Sequence, residues 1–243
     1  MIMKILTFIL LIFFNSFVLA DPLKNAIESE IRSDKNVARD VYRHPYETLT
    51  FFGIRPDMTV IELSPGGGWY TEILAHYLKD NGELIAVHFD PSMGDFAKRV
   101  RDNFEKKLAS SSVYDQVKLA SLNSKYSELE SVDVVVTFRN LHNWIGPNWD
   151  FIIKNSYASL KKGGLLGVVE HRAKEGTSIE NMKKTGYVTE KYAIESIEKL
   201  GFKLIAKSEI NSNPKDTKDH PRGVWTLPPV MRLKELDQDK YLQ

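Results

Sequence analysis

The sequence predicts an α/β fold built on a mostly parallel sheet with helices on both faces, and three observations carry that reading. From Thr59 onward, short apolar runs alternate with stretches whose apolar residues recur at helical spacing. Val132–Thr137 is dense in β-branched residues, as a strand covered on both faces requires. Glycines stand where elements should end, at Gly66-Gly67-Gly68, Gly163-Gly164 and Gly201.

Residues 21–40 are polar and read as a helical or loose entry segment. Thr59–Leu63 is the first strand, and Pro65–Gly68 turns into a helix over Thr71–Leu78 with Ile73, Leu74, Tyr77 and Leu78 on its apolar side. Leu84–Phe89 is the second strand. Ser92–Leu108 is a long helix in which Phe96, Val100, Phe104 and Leu108 recur every four residues. Val117–Ala120 and Val132–Thr137 are strands three and four. Trp149–Leu160 is helical and is stopped by Lys162-Gly163-Gly164 before the fifth strand, Leu165–Glu170. Thr189 caps a helix whose Ala193, Ile197 and Leu200 share one face, and Gly201 ends it. Phe202–Ile210 is a sixth strand and Val224–Leu227 a seventh, bounded by Pro228-Pro229 and running back antiparallel. No internal repeat or proline-rich linker divides the chain, so residues 59–243 read as one domain preceded by an N-terminal helical or lid segment over 21–58. In such sheets the ligand lies outside the carboxyl ends of the strands.

Of the 243 residues 42% are hydrophobic and 27% charged, which excludes disorder for most of the chain. There is no cysteine, which removes disulfides, thiolate metal sites and thiol nucleophiles. Lys and Arg number 33 against 32 Asp and Glu, so no basic surplus points to a nucleic acid. The first twenty residues stand apart. A positive start at Met1–Lys4, the apolar run Ile5–Phe14 and the small-residue pattern Val18-Leu19-Ala20 read as a signal peptide cut before Asp21, with an uncleaved anchor as the alternative. Cleavage implies an exported, periplasmic protein with no stable membrane insertion.

The most informative stretch is Val60–Gly68. A strand carrying an acid, Glu62, runs into a glycine turn that opens a helix, and glycine there lets backbone approach a ligand closely. By itself such a turn is also an ordinary strand–helix connection. It lacks the Lys-Ser/Thr of a phosphate loop and the Gly-x-Gly-x-x-Gly of a dinucleotide fold. The spacing Glu62-x-Ser64-x-Gly66-x-Gly68 resembles the first motif of class I S-adenosylmethionine (SAM) methyltransferases, with Ser64 in place of the first glycine. Asp133–Val136, Leu141-His142, Leu160–Leu165 and the stretch from Gly186-Tyr187 to Gly201-Phe202 follow in the order of that fold. Arg43-His44-Pro45, Glu47-Thr48-Leu49, Pro65–Glu72, Phe138–Trp144, Val169–Arg172 and Asn213–Pro221 further resemble a bacterial family of exported predicted methyltransferases, from about Asp34 onward.

The resemblance implies a Rossmann-like sheet of seven strands with the last antiparallel, SAM as cofactor, and a small-molecule or cell-envelope methyl acceptor. It implies donor contacts at Glu62, Ser64, Gly66, Gly67 and Gly68. The ribose acid that usually ends strand two is replaced by His88, with Asp90 two residues on; either can serve, and Asp90 can equally cap the next helix. Asn123 is a candidate for the adenine, and Asn140 stands among the donor-side candidates.

Methyl transfer from a sulfonium needs alignment, and a base only when the acceptor is protonated. Four histidines, His88, His142, His171 and His220, map to the ligand edge of the sheet. His142 is the favoured base, the run Glu170-His171-Arg172 is next, and Arg139 and Asn140 are placed to orient a carboxylate or carbonyl. Trp69, Tyr70, Tyr42 and Trp144 are candidate pocket walls, or ordinary core aromatics. No acid ends strand four, so a carboxylate-held magnesium is not expected. A zinc or iron site at His142, His171 and His220 is demanded by nothing in their spacing. Loop 211–222 is either a solvated connection or a substrate-facing lid. The competing reading is an exported ligand-binding protein that keeps the fold without the chemistry.

Overall fold

The computed structural model describes residues 21–234, 236 and 241; the expected signal segment lies outside them. In chain order the elements are α1 (Pro22–Ile27), α2 (Asp34–Val37), α3 (Pro45–Phe51), β1 (Thr59–Leu63), α4 (Trp69–Leu78), β2 (Glu83–His88), α5 (Asp95–Leu108), β3 (Lys118–Ser121), β4 (Val132–Phe138), α6 (Leu141–Trp144), α7 (Trp149–Ser159), β5 (Leu160–Val169), α8 (Ile179–Thr185) and α9 (Glu190–Glu198). The five strands form one sheet in the order β3-β2-β1-β4-β5, every pair parallel. Central β1 pairs Ile61 with Ile85 on one side and Val135 on the other.

Strand alternation sorts the core into two layers. Val60, Leu84, Val134 and Val136 face the layer of α1, α3 and α4, where they meet Leu49, Ile73 and Leu74. Ile61, Leu63, Ile85, Val87 and Val135 face the other layer, against Leu141, Trp144, Ile152 and Ile153. Helix α4 is buried on more than the one side its sequence pattern marks, from Trp69 through Ala75. The N-terminal segment is the reason: Leu23, Ala26, Leu49 and Phe52 join the same core, and Trp69 Nε1 donates to the Asn36 carbonyl at 2.8 Å. Arg32 locks that segment with a two-pronged bond to Asp40, both contacts at 2.7 Å.

Five sequence expectations need correction. Seven strands, the last antiparallel, are not found: the described sheet has five, all parallel. The Phe202–Ile210 stretch has strand-like composition but no ladder partner, and Leu204 and Ile205 stand exposed. Propensity does not make a strand without a neighbouring edge to bond. Val224–Leu227 is not a strand either, since Gly223–Thr226 forms a tight 3-10 turn. Gly223 sits at φ +57° so close to Thr185 that no side chain fits, while Val224 packs beside Tyr187.

The long helix begins three residues late, after Gly94 at φ +114°. Its buried face is Ala97, Arg101 and Phe104, and Phe96 is 60% exposed. Finally, Gly163-Gly164 does not stop a helix. Leu160 already pairs with Val132, and the next pair is Leu165 with Val134, so the glycines form an irregularity inside β5.

Candidate active site

Two adjacent strands end in residues with left-handed backbone. Ser64 follows β1 at φ +52°, the conformation that the first glycine of the motif would supply, and Arg139 follows β4 at φ +63°. Non-glycine residues are held this way only when their surroundings fix them. Here Ser64 N–H donates to the Val87 carbonyl at 2.8 Å and Arg139 N–H to that of Val169 at 2.6 Å. Between them Asn140 acts as a staple. Its amide lies 3.2 Å from the Ser64 carbonyl, the Phe138 carbonyl and Thr137 Oγ1. The ends of β1 and β4 are thereby held in register, with the glycine turn on one and Arg139–His142 on the other.

The turn itself is open. Gly66 and Gly67 are exposed, and a side chain added at either would meet nothing within 4 Å. That is the accessible backbone an adenosyl donor needs. Gly68, by contrast, is roofed by Lys107 and Phe104. Beneath the turn Glu62 is 2% exposed and accepts from Thr71 Oγ1 at 2.6 Å. Burial pushes its carboxyl up to about 7, against that hydrogen bond and the charges of Lys107 and Arg43. Glu62 thus braces the turn from below. Glu72, also buried, gathers Lys107, Asn36 and Arg32.

His88 ends β2 with both ring nitrogens engaged. Phe89 N–H donates to Nδ1 at 2.8 Å, so Nε2 carries the proton and donates to the Gly66 carbonyl at 3.2 Å. Burial lowers its basicity, which keeps that neutral tautomer, and Phe104 stacks on the ring. Asp90 accepts from Ser92 N–H at 2.8 Å, as a cap does, and stays exposed enough to meet a ligand as well. Asn123 lies exposed on the turn after β3.

On the β4 side, the single turn α6 presents His142, buried to 6% exposure. Its Nδ1 lies 3.2 Å from both carboxylate oxygens of Glu170, which also accepts from the backbone N–H groups of His142 and His171. A carboxylate only accepts, so Nδ1 donates and Nε2 is left as the basic atom. Nε2 has no hydrogen-bond partner among the described residues. The ring of His171 is 6.4 Å away. Burial first, then the charges of Arg139, His142 and Arg43, hold His171 well below the usual imidazole range, so it stays neutral. Its ring meets Tyr187, whose hydroxyl donates to Asp216 at 2.9 Å, and Asp216 also bonds His220 at 3.0 Å. Loop 211–222 is tied over the site by this chain. Among the described residues no three His, Asp or Glu side chains gather as a metal set.

The structure therefore brings His142, His171 and Arg139 together, and sets His88, Glu62 and the glycines together at the neighbouring strand end. Asn140 joins the two groups, while Asp90 and Asn123 lie outward. Two relations escape the sequence. Glu170 stands there in the Glu170-His171-Arg172 run ranked after His142, and its role as the partner of His142 appears once α6 folds back on it. Arg39 and Arg43 lie far from Arg139 along the chain yet line the same cavity; the Arg43-His44-Pro45 run was the one signal.

Residues 61–168 match the family model of a methyltransferase domain. Solved structures share the chain's fold at low identity. A SAM-dependent methyltransferase from Aquifex aeolicus superposes with TM-score 0.55 at 16% identity, covering 76% of this chain and 90% of that one. The [4+2]-cyclase SpnF gives TM-score 0.60 at 15% identity over 90% of this chain and 81% of that one. Human N-acetylserotonin methyltransferase, in complex with SAM, gives 0.50 at 14% identity over 70% of this chain and 48% of that one, so the chain spans about half its length. No curated protein matches the chain.

Proposed function

We propose that the chain is a class I SAM-dependent methyltransferase that methylates a small molecule, and that the export expected from residues 1–20 makes it a periplasmic enzyme. The observation that carries this reading is the pairing, on adjacent strand ends, of an open glycine turn with a carboxylate-oriented imidazole. SAM, when bound, supplies an electrophilic methyl group on a sulfonium. The turn at Ser64–Gly68 would hold it, since a side chain added at Gly66 or Gly67 would meet nothing within 4 Å.

The chain's own residues supply alignment and a base. Glu170 fixes the tautomer and orientation of the His142 imidazole, so Nε2 can take the acceptor's proton as the nucleophile is methylated. Neutral His171 and the ring of Trp225, 5.6 Å from that of His142, restrict water around the base. Asn140 keeps base and turn at a fixed separation. The same fold carries a cyclase, so fold alone does not decide the reaction.

The test is titration calorimetry of SAM into the protein and into Gly67→Val. Gly67 has no left-handed backbone and open space above it, so valine there intrudes on the donor without disturbing the turn. Saturable binding that Gly67→Val abolishes is the expected result. No binding at millimolar SAM would overturn the assignment.

A further inference from the structure

Every arginine has a cost when it leaves water, and two that do so here are paired, Arg32 with Asp40 and Arg101 with Glu105. Arg39, Arg43 and Arg139 are different. All three line one cavity of about 2120 Å³, which also contains His142, Glu170 and His171. None of their guanidinium groups has an ion pair or hydrogen bond among the described residues, and Arg43 Nε is buried without any partner. The Arg43 plane lies 4.7 Å from the ring of Trp69, which fixes its position without neutralising it.

The three also repel one another. Arg43 is brought down to about 9, by burial first and then by Arg139 and Arg39; Arg139 is lowered by burial, against the attraction of Tyr70 and Glu170. Five of the six carboxylates on the same cavity are already engaged, Glu198 accepting from Leu204 N–H, and the sixth, Glu130, is exposed. Glu170 serves His142, Asp216 serves Tyr187 and His220, and Glu190 and Glu209 serve Arg172. Glu62, the remaining acid near Arg43, bonds Thr71 under the turn. A recessed cluster of like charges is unfavourable in the free protein, and an oxyanion that enters it satisfies several donors at once. Strain at Arg139 points the same way, because φ +63° on a non-glycine is retained where a side chain must be aimed.

We infer that the methyl acceptor is an anion, whose carboxylate or phosphate group is held by Arg39, Arg43 and Arg139 while its nucleophilic atom faces Nε2 of His142. The inference rests on the methyltransferase reading for the word acceptor, but the anion site itself does not. Three guanidinium forks close to a shielded base select against neutral analogues, since a neutral group would leave the forks unsatisfied. Tyr70 stacks on Phe138 with centroids 3.4 Å apart and donates its hydroxyl to the Arg43 carbonyl at 3.3 Å, which ties Arg43 to the end of β4.

The experiment is calorimetry on the full chain with phenyl phosphate and benzoate as probes and uncharged benzyl alcohol as control, with SAM titrated separately. At least one anion should bind at least tenfold more tightly than benzyl alcohol, and should lose at least tenfold in Arg43→Gln and Arg139→Gln. Arg55→Gln, which removes an exposed surface charge, should leave it unchanged. Arg39→Gln is the third arm, because Arg39 is only half-buried and its loss cannot unfold the core. Equal binding of all three probes, or anion binding indifferent to every cluster variant, would overturn the inference even if SAM binds normally. Anion binding without SAM binding would overturn the methyltransferase reading and keep the anion site.

Discussion

Replacing Glu62 by glutamine tests how the site is built. The carboxyl lies 2% exposed beneath the glycine turn with one short bond, from Thr71 Oγ1 at 2.6 Å. Burial raises it from an ordinary 4.5 to about 7. An acid whose folded value is raised is more protonated in the folded than in the unfolded state between those two pH values. Its contribution is therefore intact below pH 4.5 and is lost as pH climbs through 7. The difference corresponds to about 3 kcal/mol of strain on the folded state above pH 8. Glutamine can still accept from Thr71 and carries no charge to desolvate. Glu62→Gln should thus unfold at higher urea than the parent at pH 8, by about 1–3 kcal/mol, and differ by less than about 0.5 kcal/mol at pH 4.5. The assay is paired urea denaturation at the two pH values, read by circular dichroism. A variant less stable than the parent at pH 8, or a difference that ignores pH, would refute the reasoning. A gain would mean that the sequence keeps a destabilising acid under the turn for the sake of its ligand.

Two further outcomes follow from the same geometry. Gly68→Ala puts a side chain at φ +77° and 2.9 Å from the Lys107 stem, which must then move off buried Glu72; a loss of about 1–3 kcal/mol in chemical denaturation is expected, and an unchanged midpoint would contradict it. In Glu170→Gln, the His171 N–H retains the amide oxygen at 2.7 Å and the amide nitrogen is left facing the His142 N–H. The carboxylate that orients His142 is lost, so methyl transfer should fall about 10²- to 10⁴-fold, and an unchanged rate would contradict the role of the pair.

How much of this was legible beforehand depends on the range over which each signal acts. The strands β1, β2, β4 and the core of β5 are written locally, because a parallel strand buried on both faces must be a continuous apolar run, and Val132–Thr137 can be little else. The glycine turn is equally local: Gly66 and Gly68 carry the backbone freedom that the turn uses. The helix cap at Thr189 was readable too, since its hydroxyl accepts from Tyr192 N–H, three residues on.

What the tertiary structure decided are relations between distant parts of the chain. A strand needs a neighbour, so the apolar spacing of Phe202–Ile210 could not by itself give a sixth strand. The face of α5 followed from where Gly94 let the helix begin, which left Phe96 outside. The roles of side chains were least visible of all. His88 is a fully bonded clamp on Gly66, Glu170 is the partner of a histidine 28 residues earlier, and Arg43 meets Arg139 only because the N-terminal segment packs over α4. Residue types and their spacing determined the scaffold and the edge where chemistry belongs. Hydrogen-bond partners, burial and the crowding of like charges arise between segments, and only the folded chain sets them.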